Sequence, residues 1–315
     1  MGLILGIDIG GTDTKLGIIT PDGDIVERDR IPTRAKEGPE AVARRVQGWL
    51  EEREEKHHRI NVAGVGCAGL VDGVAGHLYV SPNLPGWKDI PLKRIFSTTL
   101  SLSVIVENDV NAAAYAEYLK GAGKGTRHFI CITLGTGVGG GLIIDGKLHR
   151  GMHGFAGEVG HMIIQIDGPQ CTCGRRGCLE SLVKADAIKA RATEAIHAGR
   201  ESSLKDIDGF EVKDIAEEAL NGDGLSIEVL AETGRLLGIG LTNLIHIFNP
   251  EVIAIGGGIA GAGDFIFNPA CEAMRENLMD DALSDVRIVP AELGNSASFL
   301  GAALLAVANE GTASG

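Results

Sequence analysis

Two stretches of this chain repeat each other. Residues 6–20, GIDIGGTDTKLGIIT, align nearly without gaps over residues 131–145, CITLGTGVGGGLIID. Each reads as a short apolar strand, a Gly-rich turn, a second strand and a closing turn, PDGD after the first and DG after the second. An internal repeat of this size points to two similar domains, each presenting a Gly-rich hairpin to a shared cleft. The chain has room for that: 315 residues suffice for two domains or one large α/β domain, and an apolar content of 44% supplies a core.

The remaining segments alternate in the same α/β manner. Residues 37–54 have helical apolar spacing, residues 61–73 a strand running into a Gly turn, and residues 102–110 a β-branched strand ending on Asn108 and Asp109. An Ala-rich helix follows, with glycine at its C-terminal stop. After residue 180 the chain turns helical, until NPEVIAIGGGI (249–259) forms a buried strand feeding a third Gly turn. An apolar helix, SASFLGAALLAVAN, closes the chain before a small-residue tail expected to be disordered.

Composition narrows the partners. A net charge of −13 disfavours phosphate backbones, so nucleic acid is not expected. No charged-then-apolar leader and no bilayer-length apolar stretch is found, which predicts a cytoplasmic protein that does not enter a membrane. Thiols stay reduced in that compartment, so the cysteines gathered in 161–180, HMIIQIDGPQCTCGRRGCLE, point to metal binding rather than to a disulfide.

Glycine is abundant, with 46 residues bunched at the ends of apolar runs, as ligand-approaching turns require. In DIGGT, Gly10, Gly11 and Thr12 offer backbone N–H groups and a hydroxyl suited to phosphate oxygens. Asp8 stands at the mouth of that anion site, which makes sense with a divalent cation between them; Mg²⁺ needs only one or two carboxylates. Gly135, Thr136 and Gly137 repeat the device, and Gly256, Gly257 and Gly258 let a nucleotide lie against the backbone. None of the turns matches a P-loop or a dinucleotide fingerprint. Any one alone reads equally well as a plain hairpin; three together do not.

In order along the chain, DIGGT, ENDVNAAA (107–114), LGTGVGGG (134–141), GEVGH (157–161), CTCGRRGCLE (171–180) and GGGI (256–259) resemble the ROK family of sugar kinases and sugar-responsive repressors, from residue 4 to about 305. The combination of GEVGH with three cysteines is the specific part. The resemblance implies a two-domain actin-like ATPase (ribonuclease H-like) α/β fold. It implies a small domain over 1–118 completed by a C-terminal helix at about 297–310, a larger domain over 119–296 with a zinc loop, and a homodimer or higher homo-oligomer. It also implies ATP and Mg²⁺ as the phosphoryl donor, Asp109 as the catalytic base, and Asn83, Asn108, Asp109, Glu158, His161 and Glu180 as sugar ligands, with Gly69 letting the sugar approach the backbone. On residue chemistry alone, either Asn108 or Asp109 serves equally well as a plain helix cap.

The spacing H-x9-C-x-C-x4-C of His161, Cys171, Cys173 and Cys178 supplies four N/S ligands for a tetrahedral structural zinc. A nucleic-acid ribbon normally shows paired C-x2-C knuckles and a basic face; here only Arg175 and Arg176 are basic. The expected zinc is a buckle: one imidazole nitrogen of His161 binds metal, the other carries a proton towards a sugar hydroxyl, and Glu180 is fixed two residues after Cys178. The sugar segments resemble the glucokinase branch; N-acetylmannosamine and N-acetylglucosamine kinases share GE-x-GH and stay open. Sugar-sensing repressors of the family carry a helix-turn-helix domain ahead of DIGGT, for which this sequence leaves no room.

Overall fold

A computed structural model describes residues 2–53 and 60–313; the side chains at 282 and 310–313 are also outside the described set. The chain divides into two compact units, one of residues 1–125, 141–157 and 293–315, the other of residues 126–140 and 158–292. Residues 141–157, expected within the 119–296 domain, therefore group with the first unit, and the changeover after the Ala-rich helix falls at 125/126.

In the first unit β1 (Ile4–Ile9), β2 (Asp13–Ile19) and β3 (Ile25–Pro32) form an antiparallel meander. Helix α1 (Pro39–Glu51) then leads to β4 (Val62–Cys67), which pairs parallel to β1. Three short strands, β5 (Leu70–Asp72), β6 (His77–Val80) and β7 (Lys88–Ile90), make a small separate sheet. Helix α2 (Leu92–Leu100), strand β8 (Ser103–Asn108) and helix α3 (Asp109–Lys120) follow, and the sheet order is β3-β2-β1-β4-β8.

The second sheet holds β9 (Phe129–Leu134), β10 (Val138–Ile144), β11 (Lys147–Leu148), β12 (Val252–Gly256) and β13 (Arg287–Pro290) in the order β11-β10-β9-β12-β13. Strand β12 runs parallel to β9 and β13, as β4 does to β1 and β8. The sequence repeat thus marks equivalent hairpins in two similarly ordered sheets. Between β11 and β12 come α4 (Leu179–Val183), α5 (Ala185–His197), α6 (Val212–Leu220) and the long α7 (Gly224–Phe248); α8 (Asp264–Asn277) packs on α7. Helix α9 (Ala297–Ala313) closes the chain, running into the tail expected to be disordered; the last two residues lie outside the described set.

Period-2 alternation sorts the first sheet into two faces. Leu5, Ile7, Ile9, Ala63, Val65, Val104 and Val106 pack with Val42, Val46 and Trp49 of α1 and Phe96 of α2. The opposite face carries Ile4, Gly6 and Asp8 on β1 and Val62, Gly64 and Gly66 on β4, and it receives α9. Gly6 and Gly64 are register partners, and a Cβ on them would stand 2.2 Å from the carbonyl oxygen of Phe299 and 1.9 Å from that of Ala302. This glycine floor lets the α9 backbone rest directly on the sheet. Among the described residues no helix is long and apolar enough to cross a membrane.

Candidate active site

The first Gly turn is held from three sides. The Gly10 N–H donates to Asp13 O (3.1 Å), the Thr33 hydroxyl donates to Gly10 O (2.7 Å), and the Thr33 N–H donates to Thr12 O (2.8 Å). Exposed Asn83 lies beside this turn, its carbonyl oxygen 2.9 Å from where a Cβ on Gly11 would sit. Asp8 is 7% exposed on the α9 face, and Lys15, opposite it across the hairpin, reaches it at 3.4 Å. Burial raises the Asp8 carboxyl above the usual carboxylate range, opposed by the Lys15 charge and the nearby Ser298 hydroxyl. Lys15 was missed on the sequence; period 2 from Asp13 across a tight turn was its signal.

At the end of β8 the capping question is answered. The Asn108 side chain accepts from the N–H groups of Val110 (2.9 Å) and Asn111 (3.0 Å), and its Nδ2 donates to Gly69 O (3.0 Å). Asp109 is the first residue of α3. Helix capping therefore falls to Asn108 and does not require the Asp109 carboxylate. Gly69 itself has φ +126°, and a Cβ there would meet Val80 O at 2.3 Å, so glycine is demanded by the chain before any ligand is considered.

In the second unit the cysteine segment folds as a knuckle. The Ile164 N–H donates to Gly177 O (2.9 Å), Cys171 N–H to Arg175 O (2.8 Å) and Leu179 N–H to Met162 O (2.8 Å). Gly174 and Gly177 both take positive φ, as a tight knuckle needs. The ligand atoms of His161, Cys171, Cys173 and Cys178 all lie within 4.8 Å of one another. Cys173 and Cys178 place their Sγ atoms 3.7 Å apart, and Cys171 Sγ is 3.7 Å from His161 Nδ1. Tetrahedral zinc with Zn–S near 2.3 Å and Zn–N near 2.05 Å separates such ligand pairs by about 3.8 and about 3.6 Å. The four side chains can therefore hold a tetrahedral metal ion. Burial, reinforced by the neighbouring Cys173 and Cys171, pushes the Cys178 thiol up to about 12, a cost a bound cation offsets.

His161 turns Nδ1 to the knuckle and Nε2 towards Glu158, 3.9 Å from its Oε2. Those two atoms are within reach of one hydroxyl oxygen. Glu158 keeps 44% of its side chain exposed, and the partial burial that remains raises its carboxyl, with His161 opposing and Glu180 adding to the rise. Glu180 joins the knuckle to the second Gly turn: Oε2 accepts from the Val138 N–H (3.0 Å) and Oε1 from the Thr172 hydroxyl (3.1 Å). In that turn the Gly135 N–H donates to Gly137 O (3.0 Å), and Thr136 is exposed. The third turn touches the same strand end: Gly257, at φ +88°, would bring a Cβ to 2.1 Å from Leu134 O, while nothing lies within 4 Å of Gly258. Gly256 ends β12 beside Ala291.

The model of the ROK family matches residues 4–309. The chain belongs to the ROK family. It is 38% identical to a glucokinase of Streptomyces coelicolor over 314 residues, 97% of this chain and 98% of that protein. Among solved structures, a ROK family glucokinase from Streptomyces griseus in complex with glucose and AMPPNP superposes with a TM-score of 0.85 at 35% identity, covering 97% and 99% of the two chains. A ROK family transcriptional regulator superposes with a TM-score of 0.90 at 27% identity, 97% of this chain matching 78% of that one. The fold of this ROK protein is the actin-like ATPase fold expected from its motifs.

Proposed function

We propose that this ROK protein, an ATP-dependent sugar kinase by its relatives, transfers the γ-phosphoryl group of ATP to the 6-hydroxyl of glucose. Asp109 accepts the proton of that hydroxyl as its oxygen bonds to the γ-phosphorus and ADP leaves. The transition state is loose, so the base acts mainly by orienting the nucleophile. The observation that carries this reading is the division of labour at the start of α3, where Asn108 does the capping and the cap makes no demand on the adjacent Asp109 carboxylate. Glu158, through Oε2, and His161, through Nε2–H, bind sugar hydroxyls, each of which both donates and accepts. Asn83 and Glu180 complete the polar shell. Asp8 would hold Mg²⁺ through water, where the ion screens the phosphate charge. The Gly10–Thr12, Gly135–Gly137 and Gly256–Gly258 turns bind the nucleotide.

The knuckle binds structural zinc. The two separations near the tetrahedral values, and a histidine offering Nδ1, support this. Metal at Nδ1 leaves the proton on Nε2, the atom beside Glu158, so the ion sets the tautomer that donates to sugar. The protein acts in the cytoplasm, where ATP and reduced thiols coexist.

A coupled Mg-ATP assay over glucose, fructose, mannose, N-acetylglucosamine and N-acetylmannosamine tests the reading. The expected result is the highest kcat/KM for glucose. A preference for an N-acetyl sugar moves the substrate but keeps the chemistry; no turnover in zinc-replete protein removes the kinase reading.

A further inference from the structure

Glu107 is 1% exposed and has no part in the chemistry above. It lies on the α9 face of β8, two residues after Ile105, where an apolar side chain is the ordinary occupant. A carboxylate so placed must be paired and hydrogen-bonded. Its Oε1 accepts from the Asn108 N–H (3.0 Å) and from Asn111 Nδ2 (3.1 Å). Its Oε2 accepts from Arg150 Nε (2.6 Å). Gly73 closes the remaining side: a Cβ there would press on Oε2 at 3.0 Å.

These contacts surround the turn from β8 into α3. Asn108 is gripped at its N–H by Glu107 and at its side chain by Gly69, Val110 and Asn111. Asn111 is 2% exposed and its Oδ1 is buried without a hydrogen bond, so its amide is oriented by Glu107. Arg150 arrives from the segment after β11, eight positions before Glu158 in the chain. In the same segment Gly154 lies against Val71 and Asp72, where a Cβ would be 2.8 Å from Val71 O. One buried carboxylate thus joins the corner that carries Asp109 to the segment that runs into GEVGH.

We infer that Glu107 and Arg150 form a positioning pair for the phosphoryl transfer proposed above, fixing the direction of Asp109 through Asn108 and Asn111. The inference rests on Asp109 as the base. Neither residue touches substrate; both act through the corner. Arg150 also lines a cavity of about 380 Å³ with Lys93 at the β8 edge, and 30% of its side chain stays exposed.

Truncating Arg150 strands the buried Glu107 carboxylate, and truncating Glu107 leaves the Asn108 N–H and the Asn111 amide without their acceptor; both risk unfolding, so the test uses amides. In Glu107→Gln, Oε1 still serves Asn108 and Asn111, but the amide N–H₂ meets the Arg150 Nε–H, donor against donor. In Arg150→Gln, an amide N–H₂ at the same reach can still donate to Oε2, but the positive charge is gone, so the buried carboxylate loses its ion pair and its hold on the corner is disturbed. In the double variant, the amide oxygen introduced at position 150 stands the same number of bonds from Cα as arginine Nε, and it accepts from the amide N–H₂ introduced at position 107. Each single variant is expected to lower kcat for the preferred hexose by about ten- to a hundredfold, the cost of a misplaced group. KM for ATP should move by less than about twofold, since nucleotide binding is untouched. The double variant should regain most of the loss, a non-additivity that generic destabilisation does not produce. Folded single variants with near-wild-type kcat, or a double variant worse than both singles, overturn the pair. If the wild type turns over no hexose, the kinase reading has failed, and amide hydrogen exchange at 109–112 decides the pair. Faster exchange in the singles, reversed in the double, supports it; unchanged exchange rejects it.

Discussion

Cys173→Ala isolates what the metal contributes, because Cys173 is exposed whereas Cys171 and Cys178 are 3% and 1% exposed. Removing its sulfur opens no buried cavity, so any large effect must come through the ion. With free zinc at about a hundred times its dissociation constant, a ligand that binds only the folded state contributes about 2.7 kcal/mol. For a cooperative unit of this size each kcal/mol moves Tm by about 2–4 °C. Cys173→Ala should therefore lower Tm by about 5–10 °C in zinc-replete buffer and lose stoichiometric zinc by elemental analysis. In chelator the two proteins should melt together, since neither then holds metal. KM for sugar should rise, because His161 loses its fixed tautomer and Glu180 its ordered neighbour Thr172, while KM for ATP stays put. A variant that keeps its zinc and its sugar KM, or that is as destabilised in chelator as in zinc, refutes the buckle.

Asp109→Asn should lower kcat by about 10²–10⁴-fold with sugar affinity largely kept; a folded variant losing less than about tenfold removes Asp109 as base. Glu158→Gln should stabilise the sugar-free protein at neutral pH. Burial raises this carboxyl, so its neutral form contributes stability that is fully present below the unfolded value of 4.5 and is lost progressively as pH rises through the folded one. A zinc ion with three thiolates carries net negative charge and pushes the same way. The Tm gain should thus be absent below pH 4.5 and grow as pH rises from there through the folded value; a gain that is flat or shrinks over that rise contradicts the assignment. Gly301→Ala should destabilise by about 3 kcal/mol or more in denaturant titration, since its Cβ would lie 1.7 Å from Ala112 O on α3; a near-neutral result means α3 and α9 are not packed this closely.

Much of the site was legible because its signals are local. The matched hairpins sit at the same place in both sheets, and H-x9-C-x-C-x4-C brings its ligands together through a short knuckle. The capping question at Asn108 and Asp109 stayed open on the sequence, since both residue types cap helices well; hydrogen bonds to Val110 and Asn111 decide it. The SPNLPGW segment reads as a surface turn, yet it carries Asn83 against Gly11, and the β5–β7 sheet around it carries little periodicity because its strands are so short.

By itself the sequence determined the doubled α/β plan, the three Gly turns, the family and the metal-ligand spacing. Each depends on steric or coordination rules acting over a few residues. Only the tertiary structure decided which side chains those elements bring together. Glu107 and Arg150 are 43 positions apart, Lys15 faces Asp8 across a sheet register, and Gly6 and Gly64 form a floor for a helix that begins at Ala297. Such pairings carry no local signature, because burial and close packing are properties of the assembled layers rather than of any segment within them.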